Sequence, residues 1–135
     1  MKASISFPEL QDLIAAKTKQ PLSLAFIDEK TVKVGYPLNL GFIKKDIFAN
    51  LVIQEWSGTD LRLQLDAGFG SDTMLTTVLG LMKGRIPEGL IEKQPDSHIL
   101  LHLGQIEKLK GFFEKVDVNS LLVRDEGLEA EGRLK

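Results

Sequence analysis

Cysteine is absent from this 135-residue chain, which excludes a disulfide framework, a thiolate zinc site and a thiol nucleophile. The same absence fits a reducing compartment. Histidine occurs only as His98 and His102, leaving few imidazoles for general acid–base work. No apolar run approaches the roughly 18 consecutive residues of a membrane-spanning helix, and the opening MKASISFPEL lacks the apolar stretch of a signal peptide. The chain is therefore expected to be soluble and cytoplasmic, with no integral membrane segment. Lys and Arg number 17 against 19 Asp and Glu, a formal net charge of −2, and the basic residues are scattered rather than gathered into a stripe that could track phosphates. Nucleic acid is not an expected partner. Lys44 and Lys45 read as part of a turn, and Lys108, Lys110 and Lys115 are interspersed with Glu107 and Glu114, so an anionic membrane surface has little support either.

What is present is a core-forming sequence. Hydrophobic residues make up 43% and charged residues 27%, near the globular average. With no linker, low-complexity tract or short-period repeat, residues 1–135 read as a single domain.

Ser6 and Glu9 form a capping-box pattern, Pro8 fits the first turn, and Phe7, Leu10, Leu13 and Ile14 recur at helical spacing, predicting a short N-terminal helix from about Phe7 to Lys17. From Leu22 the period becomes two. Leu22, Leu24 and Phe26 precede a turn at Asp28-Glu29-Lys30, after which Val32, Val34, Tyr36, Leu38, Leu40 and Phe42 alternate in one long strand or two bent at Pro37 and Gly41. A turn is expected at Lys44 to Asp46, then a hairpin of Ile47 to Trp56 and Leu61 to Ala67 around Ser57-Gly58-Thr59-Asp60. Residues 71–83 carry Met74, Leu75, Val78, Leu79, Leu81 and Met82, which cover so much of a helical circumference that this helix is expected to be buried. A helical turn around Pro87 to Lys93, a strand from His98 to Leu103, a helix from Gln105 to about Lys110 ending near Gly111, and a terminal hairpin from Leu121 complete the reading. The fold class expected is α+β, a mostly antiparallel sheet packed on a buried central helix.

Candidate chemistry is sparse. No G-x-S-x-G elbow occurs, and Ser71 reads as a helix cap. Gly68-Phe69-Gly70 lacks the continuation of a dinucleotide fingerprint or a P-loop. His98 and His102 share a face, joined by Asp96 if the segment is a strand, but two imidazoles fall short of the three or four ligands zinc requires. Glu129, Glu131 and Arg133 read as the solvated face of an edge strand, and Trp56 as either a core anchor or a ligand platform. No enzyme, metal or cofactor is expected.

Three segments, LSLAFIDEKTVKVGYPLNLGF, SDTMLTTVLGLMKG and HILLHLGQIEKLKGFFEKVDVNSLLVRDEGLEAEGRL, together resemble the order of elements in the tubular lipid-binding superfamily, which includes bactericidal/permeability-increasing proteins. The resemblance is one of pattern and covers most of the chain. It implies a curved sheet around the helix with an apolar seam that accepts acyl chains, and pairing of two units as a homodimer. On that basis Met74, Leu75, Val78, Leu79 and Met82 are the expected ligand-binding residues of a non-enzymatic module holding a lipid or other apolar ligand. The alternative is a structural or protein-interaction domain with a fully packed core.

Overall fold

The computed structural model describes the chain apart from residues 19, 20, 40, 43, 69, 83, 85, 87 and 88, and describes no side chains at 17, 18, 38, 39, 78, 81, 82 and 108. Strands β2 (Ser23–Asp28), β3 (Thr31–Asn39), β4 (Lys44–Ser57), β5 (Asp60–Asp66), β6 (Ile91–Gln94) and β7 (His98–His102) form a six-stranded sheet in the order β2-β3-β4-β5-β7-β6. Strands β1 (Lys2–Ser6), β8 (Val116–Arg124) and β9 (Gly127–Leu134) form a second sheet in the order β1-β9-β8. Every strand pair is antiparallel. Among the described residues three helices accompany them: α1 (Phe7–Thr18), α2 (Ser71–Met82) and α3 (Glu107–Lys115), the last preceded by a 3₁₀ turn at Leu103–Gln105. The α+β, mostly antiparallel class expected from the sequence is what the chain adopts. Among the described residues no helix is long and apolar enough to cross a membrane.

The expected alternation places Val32 on β3, Ile53 on β4, Leu61 and Leu63 on β5 and Ile99 on β7 in one buried cluster. Phe7 from α1, Leu75 from α2 and Val123 from β8 cover that cluster, and Val123 has no exposed surface at all. Val123 sits where the sheets meet: its N–H donates to the carbonyl of Glu29 in the β2–β3 turn (2.9 Å). That turn is itself ordered by Asp28, whose carboxylate accepts the Lys30 N–H (2.9 Å); this bond and one from the Thr31 hydroxyl hold the acid below its ordinary range.

The capping box forms as read. The Glu9 N–H donates to Ser6 Oγ and the Ser6 N–H to Glu9 Oε1, both at 3.2 Å, and the bonds to Ser6 hold the Glu9 carboxyl pKa below its ordinary value. Of the expected α1 stripe Phe7 is buried, Leu10 and Ile14 are half-buried, and Leu13 remains 49% exposed.

Several elements depart from the sequence reading. The segment expected as a helical turn before His98 instead contributes Ile91–Gln94 as β6, paired with β7 from Ile91↔Leu101 to Gln94↔His98. Lys2–Ser6 becomes β1 because it pairs with β9. This makes β9 the central strand of its sheet, so Glu129 and Glu131 do not lie on an edge; they pair with Arg124 and Lys2, each at 3.5 Å. Helix α3 runs through Gly111 to Lys115, since the next turn carries Phe112 and Phe113, and packing of Phe113 near Trp56 outweighs a glycine's weak helix propensity.

Candidate functional site

Helix α2 follows β5 through a turn organised by Ser71. Its hydroxyl donates to the Gly68 carbonyl (2.7 Å) and accepts the Ala67 N–H (2.9 Å), so it ties the entry loop together and is not presented as a nucleophile. Of the five residues expected to bind ligand, Leu75 is 4% exposed within the core cluster, Leu79 packs against that cluster, and Met74 is half-buried. The side chains of Val78 and Met82 lie outside the described residues. Asp72, Thr73, Thr76, Thr77 and Gly80 are exposed, and the hydroxyls of Thr76 and Thr77 return to the carbonyls four residues back, at 3.0 and 2.9 Å. The described part of α2 therefore has one packed side and one solvated side, because its threonines satisfy themselves against their own helix. Burying Leu75 alone contributes about 2 kcal/mol.

The histidines are held separately. His98 Nδ1 lies 3.1 Å from the Pro95 carbonyl, and His102 Nδ1 lies 3.0 Å from Asp60 Oδ1. Four residues along a strand separate their Cα atoms by roughly 13 Å. Asp96, expected to join their face, is instead in the β6–β7 turn with φ 60°, next to Ser97 with φ 61°. Among the described residues no group of three or more His, Asp or Glu side chains is placed to hold a metal ion.

A different region breaks the ordinary rules. Strands β3 and β4 pair without interruption from Thr31↔Val52 to Asn39↔Lys44. Their neighbours stop earlier: the pairing with β2 reaches Gly35, and the pairing with β5 reaches Asn50. Residues 36–39 and 44–47 thus form a two-stranded arm that extends past the rest of the sheet. Its connection, Leu40-Gly41-Phe42-Ile43, is apolar, whereas loops are ordinarily polar. Gly41 adopts φ 84°, a left-handed conformation that glycine tolerates, and Phe42 is 94% exposed. The turn expected at Lys44 to Asp46 is corrected accordingly: those residues open β4, and all three are exposed.

At the base of the arm Phe48 lies across Gly35, its cross-strand partner. A Cβ at Gly35 would come within 2.8 Å of the Phe48 ring and would also strike the Ser23 hydroxyl, so the glycine makes room for the aromatic. The Lys33 ammonium sits 4.7 Å from the ring centroid on the same face. Phe48 remains 52% exposed between two open depressions. One, of about 260 Å³, is lined by Phe48, Asn50, Asp66 and Gly68; the other, of about 230 Å³, by Pro21, Ser23, Gly35, Pro37 and Phe48. Neither is lined by Met74, Leu75 or Leu79.

Sequence reading missed the arm because Leu38, Leu40 and Phe42 continue the parity of β3, so an apolar loop looked like more strand. The available signal was Gly41, followed by two lysines and an aspartate that suit an exposed strand start as well as a turn. Comparison with protein-family models, curated proteins and solved structures finds no match to this chain.

Proposed function

We propose that the chain is a non-enzymatic binding module that meets its partner end-on through the β3–β4 arm. The observation that carries this reading is Phe42, 94% exposed in an apolar connection at the free end of that arm. Exposed Pro37 and Phe48 extend the apolar character along it. Hydrating such a surface costs free energy that a covering partner would recover. Among the described residues the other exposed aromatic on a strand, Phe26 on the outer strand β2, is only 39% exposed. The edge there is partly covered, since the Leu24 N–H donates to Gln11 Oε1 of α1 at 2.9 Å. The non-enzymatic part of the reading is supported by the engagement of Ser71 and both histidines with structural partners.

Hydrophobic-interaction chromatography tests the arm. Phe42→Ser is expected to elute clearly earlier than the parent at unchanged melting temperature, whereas Phe26→Ser should shift elution less. Identical elution of folded Phe42→Ser and parent would remove the arm as the dominant contact surface.

A second reading keeps an apolar ligand, such as an acyl chain, between α2 and the sheet. It is favoured by the half-buried Met74 and Leu79 and by the resemblance of the α2 segment to the tubular lipid-binding pattern. The direct packing of Leu75 into the core weighs against a wide seam. Native mass spectrometry and a fluorescent fatty-acid probe separate the two. No co-purifying lipid and no saturable probe binding are expected; saturable binding that disappears in a folded Leu79→Glu variant would replace the arm reading with the seam.

A further inference from the structure

We infer that the partner of the arm is an anionic lipid surface, with Phe42 entering the interface and Lys44 and Lys45 resting on the headgroups. This rests on the reading of the arm as the contact surface. Four features favour a bilayer over a protein. The connection carries a 94% exposed aromatic, Phe42, which a fluid interface accepts without a preformed pocket. Lys44 and Lys45 follow the apolar connection directly and are both exposed, and as successive strand residues they project to opposite faces of the ribbon. Ammonium groups thus flank the tip on both sides, at the depth where headgroup phosphates would lie when Phe42 reaches the acyl boundary.

Strand addition by another chain is disfavoured along the arm. On β3, Pro37 has no N–H to offer, and β4 opens with Lys44, Lys45 and Asp46, all exposed charges of the kind that guard sheet edges. Finally, the chain as a whole carries −2. The remainder without the two tip lysines is more acidic still, so an anionic surface repels the body and draws in the tip. Exposed Asp46 offsets part of this, which leaves the arm's Lys44-Lys45-Asp46 stretch with a net charge of about +1 on a chain that is acidic as a whole. The lysine pair that sequence reading assigned to an ordinary turn acquires this role only because the strands carry it out beyond the rest of the sheet.

Vesicle flotation tests the inference on the full chain. Parent protein is expected to float with vesicles of phosphatidylcholine mixed with phosphatidylglycerol and to stay behind with vesicles of phosphatidylcholine alone, and rising salt should release it. Each of Lys44→Glu and Lys45→Glu should weaken binding by at least about fivefold, the contribution of one basic residue near such a surface. Phe42→Ser should weaken it at least as much, while Phe26→Ser should leave it unchanged. All four substitutions are at exposed positions, and an unchanged melting temperature confirms that the fold is retained. Equal binding to both vesicle types, no binding, or binding untouched by the tip substitutions would overturn the inference. Dimerisation by light scattering that vanishes in Phe42→Ser, without flotation of the parent, would overturn the lipid partner and leave the arm as an interface between copies of the chain.

Discussion

Gly127→Ala is expected to destabilise the protein by about 3 kcal/mol or more, lowering the melting temperature by roughly 10 °C. Gly127 opens β9 and is paired on both sides, with Ser6 of β1 and Arg124 of β8. A methyl group there would overlap the Ile5 carbonyl oxygen and stand 2.7 Å from Ser6 Cα. Both are backbone atoms, so no rotamer change relieves the contact and β1 itself must move. The displacement propagates because Ser6 leads directly into α1, and Phe7, 6% exposed in the core, donates its N–H to the Glu126 carbonyl at 2.8 Å. Moving β1 therefore unseats a core aromatic and an interstrand turn together. Gly111→Ala is the control. Gly111 lies exposed inside α3, with nothing within 4 Å of a Cβ, so the same change there should stabilise by about 0.5–1 kcal/mol through helix propensity and a less flexible unfolded chain. Thermal unfolding followed by circular dichroism reads both, and a Gly127→Ala melting temperature within about 2 °C of the parent would show that β1 does not approach Gly127 as described.

How much of this architecture is legible in the sequence depends on whether a strand keeps its parity. The alternation of Val32, Val34 and Tyr36, of Leu61, Leu63 and Leu65, and of Ile99 and Leu101 survives from sequence to sheet because those strands carry no bulge at these positions. Strand β8 behaves differently. Val116 and Val118 face inward, a register shift falls between Val118 and Ser120, and Leu121 and Val123 then face inward on the opposite parity. A period-two reading therefore finds the strand only from Leu121 and loses its first half. Strands β1 and β6 carry too few apolar residues to show any period; β9 and β7, distant or following in sequence, supply their pairing. The candidate site was hidden by the opposite effect. Phe42 extends the alternation of β3 without a break, and only the pairing Asn39↔Lys44 shows that the chain has already turned. Apolar residues in a connection satisfy no folding rule, and that inconsistency is what directs attention to a partner.

Trp56 joins the sheets at two such breaks in parity, and its replacement should be felt across both. A register shift between Ile53 and Glu55 inserts one extra residue in β4, which returns Trp56 to the inward face opposite Leu61, two rungs of the ladder from the Ile53↔Leu63 pair. From there its indole N–H donates to the Val118 carbonyl at 3.0 Å, at the register shift of β8, where the ladder to β9 is interrupted. Its ring lies 6.1 Å from Phe113, which in turn meets Phe112 edge-on at 5.6 Å. One side chain thus contacts the larger sheet, the smaller sheet and α3. Trp56→Phe keeps most of the ring packing but leaves the Val118 carbonyl without its donor, an expected loss of about 1–2 kcal/mol. Trp56→Ala also removes the ring and should cost about 3 kcal/mol, at the lower end of the range for large aromatics because Trp56 is half-buried. Urea unfolding measures both by circular dichroism, and in the parent the emission of this single tryptophan reports on the junction itself. If the fluorescence and dichroism transitions coincide, the two sheets unfold as one unit. Separate transitions, or a Trp56→Phe variant as stable as the parent, would mean that the indole does not hold the sheets together.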